Sequence, residues 1–261
     1  MEVLLVYLAL GTAAGLIAGL FGVGGGVIIV PALALSYTAQ GMDPAVIMHM
    51  ALGTSLATIV VTSLSSIRAH HRLGNVPWDV MKPMIPGIAV GALAGAFLAH
   101  WIPSDWLQRL FGVFALILAV QIARGGRPSA GRTLPGPAGL AGAGGVIGTG
   151  SALTGIGGGS LTVPFLTWCS VPIHRAVGAG AAGGLPIAVA GAAGYMLVGW
   201  QVPVLPEWST GYIYWPAFAG ISVATVLMAP LGARLAAWLP AHILRALFAL
   251  LLVVIGLRML V

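Results

Sequence analysis

Long apolar runs with short polar punctuation dominate the chain. Stretches at 3–20, 44–67, 80–100, 106–124, 136–153, 173–198, 212–235 and 241–260 are each long enough to cross about 30 Å of hydrocarbon as a helix. Two shorter runs, 26–37 and 159–169, each follow a cluster of glycines, and their length predicts half-helices that do not cross alone. Asp43-Pro44 reads as an N-cap followed by proline at the first helical position, and Ser104-Asp105 as a cap before Trp106. Trp78, Trp101, Trp106, Trp200, Trp208, Trp215 and Trp238 fall at run ends, where amphipathic rings anchor at a membrane interface. Residues 125–137 form a polar linker rich in Pro, Gly and Arg.

The linker separates two copies of one unit. Residues 21–31 recur 133 positions later as 154–164, and Gly11 and Gly15 map onto Gly144 and Gly148. Further on the offset is 125, pairing His49, Gly53 and Gly74 with His174, Gly178 and Gly199; later it is 137, pairing Gly95, Pro103, Leu107 and Phe111 with Gly232, Pro240, Leu244 and Phe248. The expected organisation is a first transmembrane repeat at 1–124, a cytoplasmic linker at 125–137 and a second repeat at 138–261. Each repeat has four long helices and one short half-helix after a glycine-rich break.

Charge placement orients these copies. If each short run returns the chain to the side it came from, each unit makes five passes and the second copy is inverted. Arg68, Arg72, Lys82, Arg124, Arg127, Arg132, Arg175, Arg234 and Arg245 then share one side, with Arg109 and Arg258 opposite. Short runs that continued their helices would give eight passes and a best split of seven against four. The positive-inside rule favours the inverted arrangement, with both termini outside.

Composition sharpens the class. Of 261 residues, 59% are hydrophobic and 6% charged, against about a quarter charged in a soluble domain, which excludes a soluble globular fold. The 39 glycines are about twice the usual share of about 7% and sit inside apolar runs, pointing to close helix packing or to broken helices. Net charge is +6, but the arginines are scattered one or two per loop and make no nucleic-acid patch. Cys169 is the only cysteine, so there is no intramolecular disulfide, cysteine zinc site or haem attachment. The start, Met1-Glu2-Val3, has no basic n-region, so the first helix is expected to be retained.

The chemistry-bearing positions follow from the breaks. Gly22-Val23-Gly24-Gly25-Gly26 and Gly155-Ile156-Gly157-Gly158-Gly159 interrupt apolar segments where unpaired backbone is costly, so each must line a cavity or be buried in protein. Glycine lets consecutive amides point inward, and the half-helix that follows carries about half a positive charge at its start. Two such starts near the midplane would hold an anion without a buried arginine. The candidate binding residues are therefore Gly22, Gly24, Gly25, Gly26, Gly155, Gly157, Gly158 and Gly159, with Ser160 directly after the second cluster. Gly11, Gly15 and Gly19, and Gly87, Gly91 and Gly95, have GxxxG spacing that helix packing alone explains. Hydroxyls at Thr54, Ser55 and Thr58 lie near one helical face; they either complete an oxyanion's shell or bond carbonyls one turn back. The second copy has Ala179 and Gly180 in place of Thr54 and Ser55. His49 and His174 occupy equivalent positions and read either as interfacial residues or as gating or proton-coupling groups.

Five carboxylates, at Glu2, Asp43, Asp79, Asp105 and Glu207, lie at caps or loops, which argues against cation or metal transport and leaves no metal site. Ser151 lacks a nucleophile elbow and a neighbouring base, so a hydrolase is not expected. No cofactor is implied.

Gly15-Leu-Ile-Ala-Gly-Leu-Phe-Gly-Val-Gly-Gly-Gly through Val30-Pro31, Ala51-Leu-Gly-Thr-Ser55, His71-Arg-Leu-Gly-Asn-Val76, Val163-Pro164 and Gly232-Ala-Arg-Leu-Ala-Ala-Trp-Leu-Pro240 resemble the TauE/SafE family of membrane proteins over nearly the whole chain. Where that family often has Thr-Ser, the second copy has Ala179-Gly180. The resemblance implies export of sulfite or organosulfonates such as sulfoacetate from the prokaryotic cytoplasm. Taken together, the chain is expected to be an all-α polytopic membrane protein of two inverted repeats. It would be a secondary transporter working by alternating access in the cell membrane, with a small sulfur-containing anion and the lipid bilayer as partners. A passive anion channel and a non-transporting membrane scaffold are the alternatives, and the oligomeric state stays open, a homodimer included.

Overall fold

The computed structural model describes residues 2–21, 25–124, 133–236 and 240–261. Its helices are α1 (Glu2–Phe21), α2 (Gly26–Ala39), α3 (Pro44–Arg72), α4 (Trp78–His100), α5 (Ser104–Ala123), α6 (Pro137–Thr154), α7 (Gly159–Trp168), α8 (Ile173–Val198), α9 (Trp215–Ala236) and α10 (Ala241–Leu260), with a two-stranded hairpin, β1 (Ser209–Thr210) and β2 (Ile213–Tyr214), before α9. The protein is thus all-α and polytopic, and among the described residues six helices are long and apolar enough to cross a membrane.

Local chemistry sets the helix ends. Asp43 caps α3 as expected, its Oδ1 accepting from the Ala45 amide at 2.9 Å, with Pro44 at the first helical position. Ser104 does not cap its own helix: Pro103 stands at the cap of α5, and the Ser104 hydroxyl accepts from the Met48 amide of α3 at 3.1 Å. Helix α3 runs to Arg72 rather than 67, because Arg68, His70, His71 and Arg72 are tolerated once the helix leaves the apolar layer. The run expected to start at 212 begins as a helix only at Trp215, since residues 212–214 belong to the hairpin.

Helices α2 and α7, at 14 and 10 residues, are about 21 and 15 Å long at 1.5 Å per residue, short of a crossing. Both run back towards the end their unit came from. Gln40, just beyond α2, donates to the Tyr7 hydroxyl near the start of α1 at 2.7 Å. Likewise Thr133 and Leu134, before α6, share the walls of an open cavity of about 540 Å³ with Cys169–Pro172 beyond α7. That cavity also takes in Pro77, Asp79 and Arg175, with Arg175 Nη2 3.1 Å from Asp79 Oδ1. One end of the bundle therefore gathers the α3–α4 connection, the start of α6 and the α7–α8 connection. The other gathers Tyr7, the α2–α3 connection, His100 and the hairpin.

Packing follows the small residues. Helix α1 lies on α9, and α6 lies on α4, the same exchange made twice between the copies. A Cβ built on Gly11 would stand 2.7 Å from Ile221 Cα, and one on Gly95 2.7 Å from the Thr149 carbonyl oxygen, while Gly87 and Gly91 meet the carbonyls of Ala141 and Gly145. Gly11, Gly15, Gly87, Gly91 and Gly95 thus form packing seams. Helix α3 is the central element: Met48, Met50, Leu52, Leu56 and its neighbours are sealed from the surroundings, with α8 against it. Val90, Val113, Ile117, Val223, Leu227, Leu250 and Val254 point outward, an apolar belt suited to lipid, and Trp101, Trp106, Trp200 and Trp208 are exposed at the helix ends.

The seam predicts a contrast between two helical glycines. Gly91→Ala forces a methyl into α6 and should destabilise by about 1–3 kcal/mol. Gly142→Ala meets nothing within 4 Å and should be neutral or stabilise by up to about 1 kcal/mol. Thermal unfolding in detergent checks both.

Candidate functional site

The two glycine breaks touch. Gly25 caps α2, its carbonyl accepting from Ile28 and Ile29 at 3.0 and 2.8 Å. A Cβ on Gly26 would lie 2.5 Å from the Gly155 carbonyl oxygen, 2.9 Å from Ile156 Cα and 3.1 Å from Ile59 Cδ1. Gly155 ends α6 in the left-handed region, φ +63°, where a Cβ would be strained. Its carbonyl accepts from the Ser55 hydroxyl at 2.9 Å. Gly157 faces Ile59 at 3.5 Å, so Ile59 of α3 touches both breaks. Gly22 and Gly24 lie outside the described residues.

At the start of α7 the first amides find no backbone acceptor among the described residues. The first intrahelical bond runs from the Thr162 amide to the Gly158 carbonyl at 2.9 Å, leaving the amides before it without a helical acceptor. Gly158 packs on α8, its Cβ position 2.9 Å from both the Gly180 carbonyl oxygen and the Gly184 amide nitrogen, whereas a Cβ on Gly159 would meet nothing within 4 Å. Ser160, the second residue of α7, is 6% exposed, and its hydroxyl, like those of buried Thr162 on α7 and Ser151 on α6, has no hydrogen-bond partner among the described residues. The Ser63 hydroxyl reaches this region from α3, 3.0 Å from the Cβ position of Gly184, with the Gly158 amide nitrogen 3.7 Å from the same point.

The α3 hydroxyls are used structurally. Ser55 donates across to Gly155, Thr58 donates to the Ser55 carbonyl at 2.7 Å, and Thr54 Oγ1 accepts from the Tyr214 amide at 3.1 Å and from the Tyr37 hydroxyl at 3.3 Å. Ser55 therefore joins Gly26, Gly155 and Gly157 at the junction, while Thr54 turns towards the hairpin. The histidines separate. His49 is buried, its Nε2 3.0 Å from the Ala99 carbonyl oxygen and its ring stacked on Tyr212 at 4.9 Å. His174 is exposed at the opposite end beside Arg175.

No Lys, Arg, Asp or Glu is buried among the described residues, so the interior is formally neutral and its polarity comes from helix starts and hydroxyls. Residue-by-residue reading passed over Thr162 and Ile59. The repeat itself held a signal for Thr162: at the 133 offset, Val27 and Ile29 become Ser160 and Thr162. At its start the second half-helix is thus the hydroxyl-bearing one, while the hydroxyls of the long helix belong to the first copy.

The sequence model of the family described as "Sulfite exporter TauE/SafE" matches residues 7–259. A probable membrane transporter protein of Haemophilus influenzae is 35% identical over 258 residues, covering 98% of this chain and 97% of that one. One from Methanocaldococcus jannaschii is 28% identical over 225 residues, covering 85% and 79%. The probable membrane transporter protein MamO of Paramagnetospirillum magneticum is 28% identical over 298 residues, covering 98% of this chain and 44% of that one. No solved structure matches the chain. The family model matched along nearly all of an apolar helical bundle, together with a relative 35% identical over 98% of the chain, places the chain in the TauE/SafE family of membrane transporters.

Proposed function

We propose that the protein is a secondary transporter that exports sulfur-containing oxyanions, sulfite or an organosulfonate, across the cytoplasmic membrane by alternating access. The observation that carries this reading is the start of α7: among the described residues its first amides find no backbone acceptor, the Cβ direction at Gly159 is open, the buried Ser160 hydroxyl has no partner, and no charge is buried. Unpartnered donors in apolar surroundings are costly, and an oxyanion satisfies several at once. The family description names sulfite; the donors suit any small oxyanion group, sulfonate included.

The proposed frame is two inverted repeats, 1–124 and 138–261. The returning course of α2 and α7 and the reciprocal packing of α1 on α9 and α6 on α4 support it. The end bearing Arg68, Arg72, Lys82, Arg124, Arg175 and Arg234 is then cytoplasmic, with both termini outside. A negative-inside potential supplies about 2.3 kcal/mol per charge per 100 mV for outward anion movement, so uniport suffices.

The neutral interior also sets which charge state is held. Desolvation grows with the square of the ion's charge, whereas attraction to fixed dipoles grows in proportion to it. A site built from two helix starts of about half a charge each therefore favours a singly charged oxyanion group.

Three outcomes follow. Sulfite or methanesulfonate should raise the melting temperature of the purified protein, and Ser160→Ala should weaken that binding about tenfold, about 1.4 kcal/mol, without altering ligand-free melting. No stabilisation by any sulfur oxyanion would leave a scaffold. In proteoliposomes methanesulfonate flux should saturate and stay level between about pH 6 and about pH 8.5, while sulfite flux falls as hydrogensulfite ionises and sulfate is carried at less than about a tenth of the methanesulfonate rate; equal sulfate flux contradicts the charge argument, and unsaturable flux points to a channel. Impermeant labelling of terminal tags on intact cells should reach both ends.

A further inference from the structure

The two copies differ at one place by more than substitution. Between Gly199 and Gly232 the repeat offset rises from 125 to 137, so the second copy carries twelve residues without counterpart in the first. Helices α3 and α4 are joined by 73–77 alone, whereas α8 and α9 are separated by 199–214, and that longer connection folds back as the β1–β2 hairpin.

The hairpin is not a surface loop. Tyr212 and Ile213 are 4% and 1% exposed. Gly211, at φ +55°, sits where a Cβ would meet the Met196 carbonyl of α8. The Tyr212 amide donates to the Tyr195 carbonyl at 3.2 Å, its ring lies on His49, and its hydroxyl is 3.3 Å from His100 Nδ1. At the hairpin's end the Tyr214 amide donates to Thr54 Oγ1 at 3.1 Å, with the Tyr37 hydroxyl on the same oxygen. The rings of Tyr7, Tyr37 and Tyr214 meet edge to face at 5.9–6.4 Å. Thr54 adjoins Ser55, which bonds the glycine junction. The inserted segment therefore reaches from the termini end of the bundle to within one residue of the helix breaks.

We propose that the hairpin 209–214 is the gate between the helix breaks and the termini end, and that Thr54 is the catch that holds it shut. This rests on reading the breaks as the anion site. The contacts are neutral hydrogen bonds and edge-on rings, each weak alone, which suits a closure broken once per cycle. At the other end the short connection instead packs directly, the Asn75 carbonyl against Gly178 of α8, so the two ends are closed by different means. Thr54 thus acts on the gate as a positioning residue and does not hold the anion.

The test uses the full-length protein in proteoliposomes with Cys169→Ser to remove the native thiol. With Thr54→Cys and Tyr214→Cys, oxidation should stop methanesulfonate flux while ligand-induced stabilisation persists, and reductant should restore flux. Equal flux in the oxidised and reduced forms would overturn the gate. Separately, Gly159→Cys reports on the path, since its Cβ direction is open. Adding Thr54→Val should raise labelling by an impermeant maleimide from the termini side at least about tenfold, through a shifted opening equilibrium; unchanged labelling would overturn the catch. Labelling needs no substrate, so a failure of the anion reading is distinguished from a failure of the gate.

Discussion

A backbone donor or acceptor without a partner costs several kcal/mol inside an apolar layer, and the arrangement of this bundle follows from where those partners are found. The two half-helices leave their first turns open. On the carbonyl side the remedy is internal: Ser55 covers Gly155, and the close approach of Gly26 brings the two breaks into contact. On the amide side of α7 no such remedy is found among the described residues, and the hydroxyls of Ser160 and Thr162 are in the same condition there. The same constraint explains the glycine seams. Pulling α1 onto α9 and α6 onto α4 at backbone distance fixes the frame that holds the breaks at depth.

The two half-helices start on matching sequence positions that carry different side chains. Val27 and Ile29 make α2 an apolar element, while Ser160 and Thr162 make α7 a polar one. In the long helices the assignment reverses: α3 keeps Thr54 and Ser55, while α8 has Ala179 and Gly180, whose small size lets Gly158 and Gly159 lie against it. Adding hydroxyls to α8 would crowd α7, so symmetry of chemistry and closeness of packing could not both be kept. The inserted hairpin extends this division of labour to the ends of the path.

Much of the frame was legible beforehand because it depends on run length and on residue size. The limits of α8 and α10 match the apolar runs at 173–198 and 241–260, and α2 and α7 emerge as short helices because glycine clusters and chain length allow nothing longer. The site was legible only in part. Gly155, Gly157 and Gly158 stand at the junction, but Thr54 and Ser55 proved to be committed to Tyr214 and Gly155, partners 160 and 100 residues away. No local pattern encodes such distant partners. His49 and His174 looked equivalent by repeat position, yet the hairpin buries one and leaves the other exposed.

The most direct measurement is a crystallographic electron-density map of the protein with bromomethanesulfonate, whose bromine marks the ligand by anomalous X-ray scattering. The account places the sulfonate at the start of α7, within hydrogen-bond reach of the amides around Gly159 and of the Ser160 hydroxyl. A sulfonate bound instead to Arg175 or another exposed arginine, with the start of α7 unoccupied at saturating ligand, would contradict it.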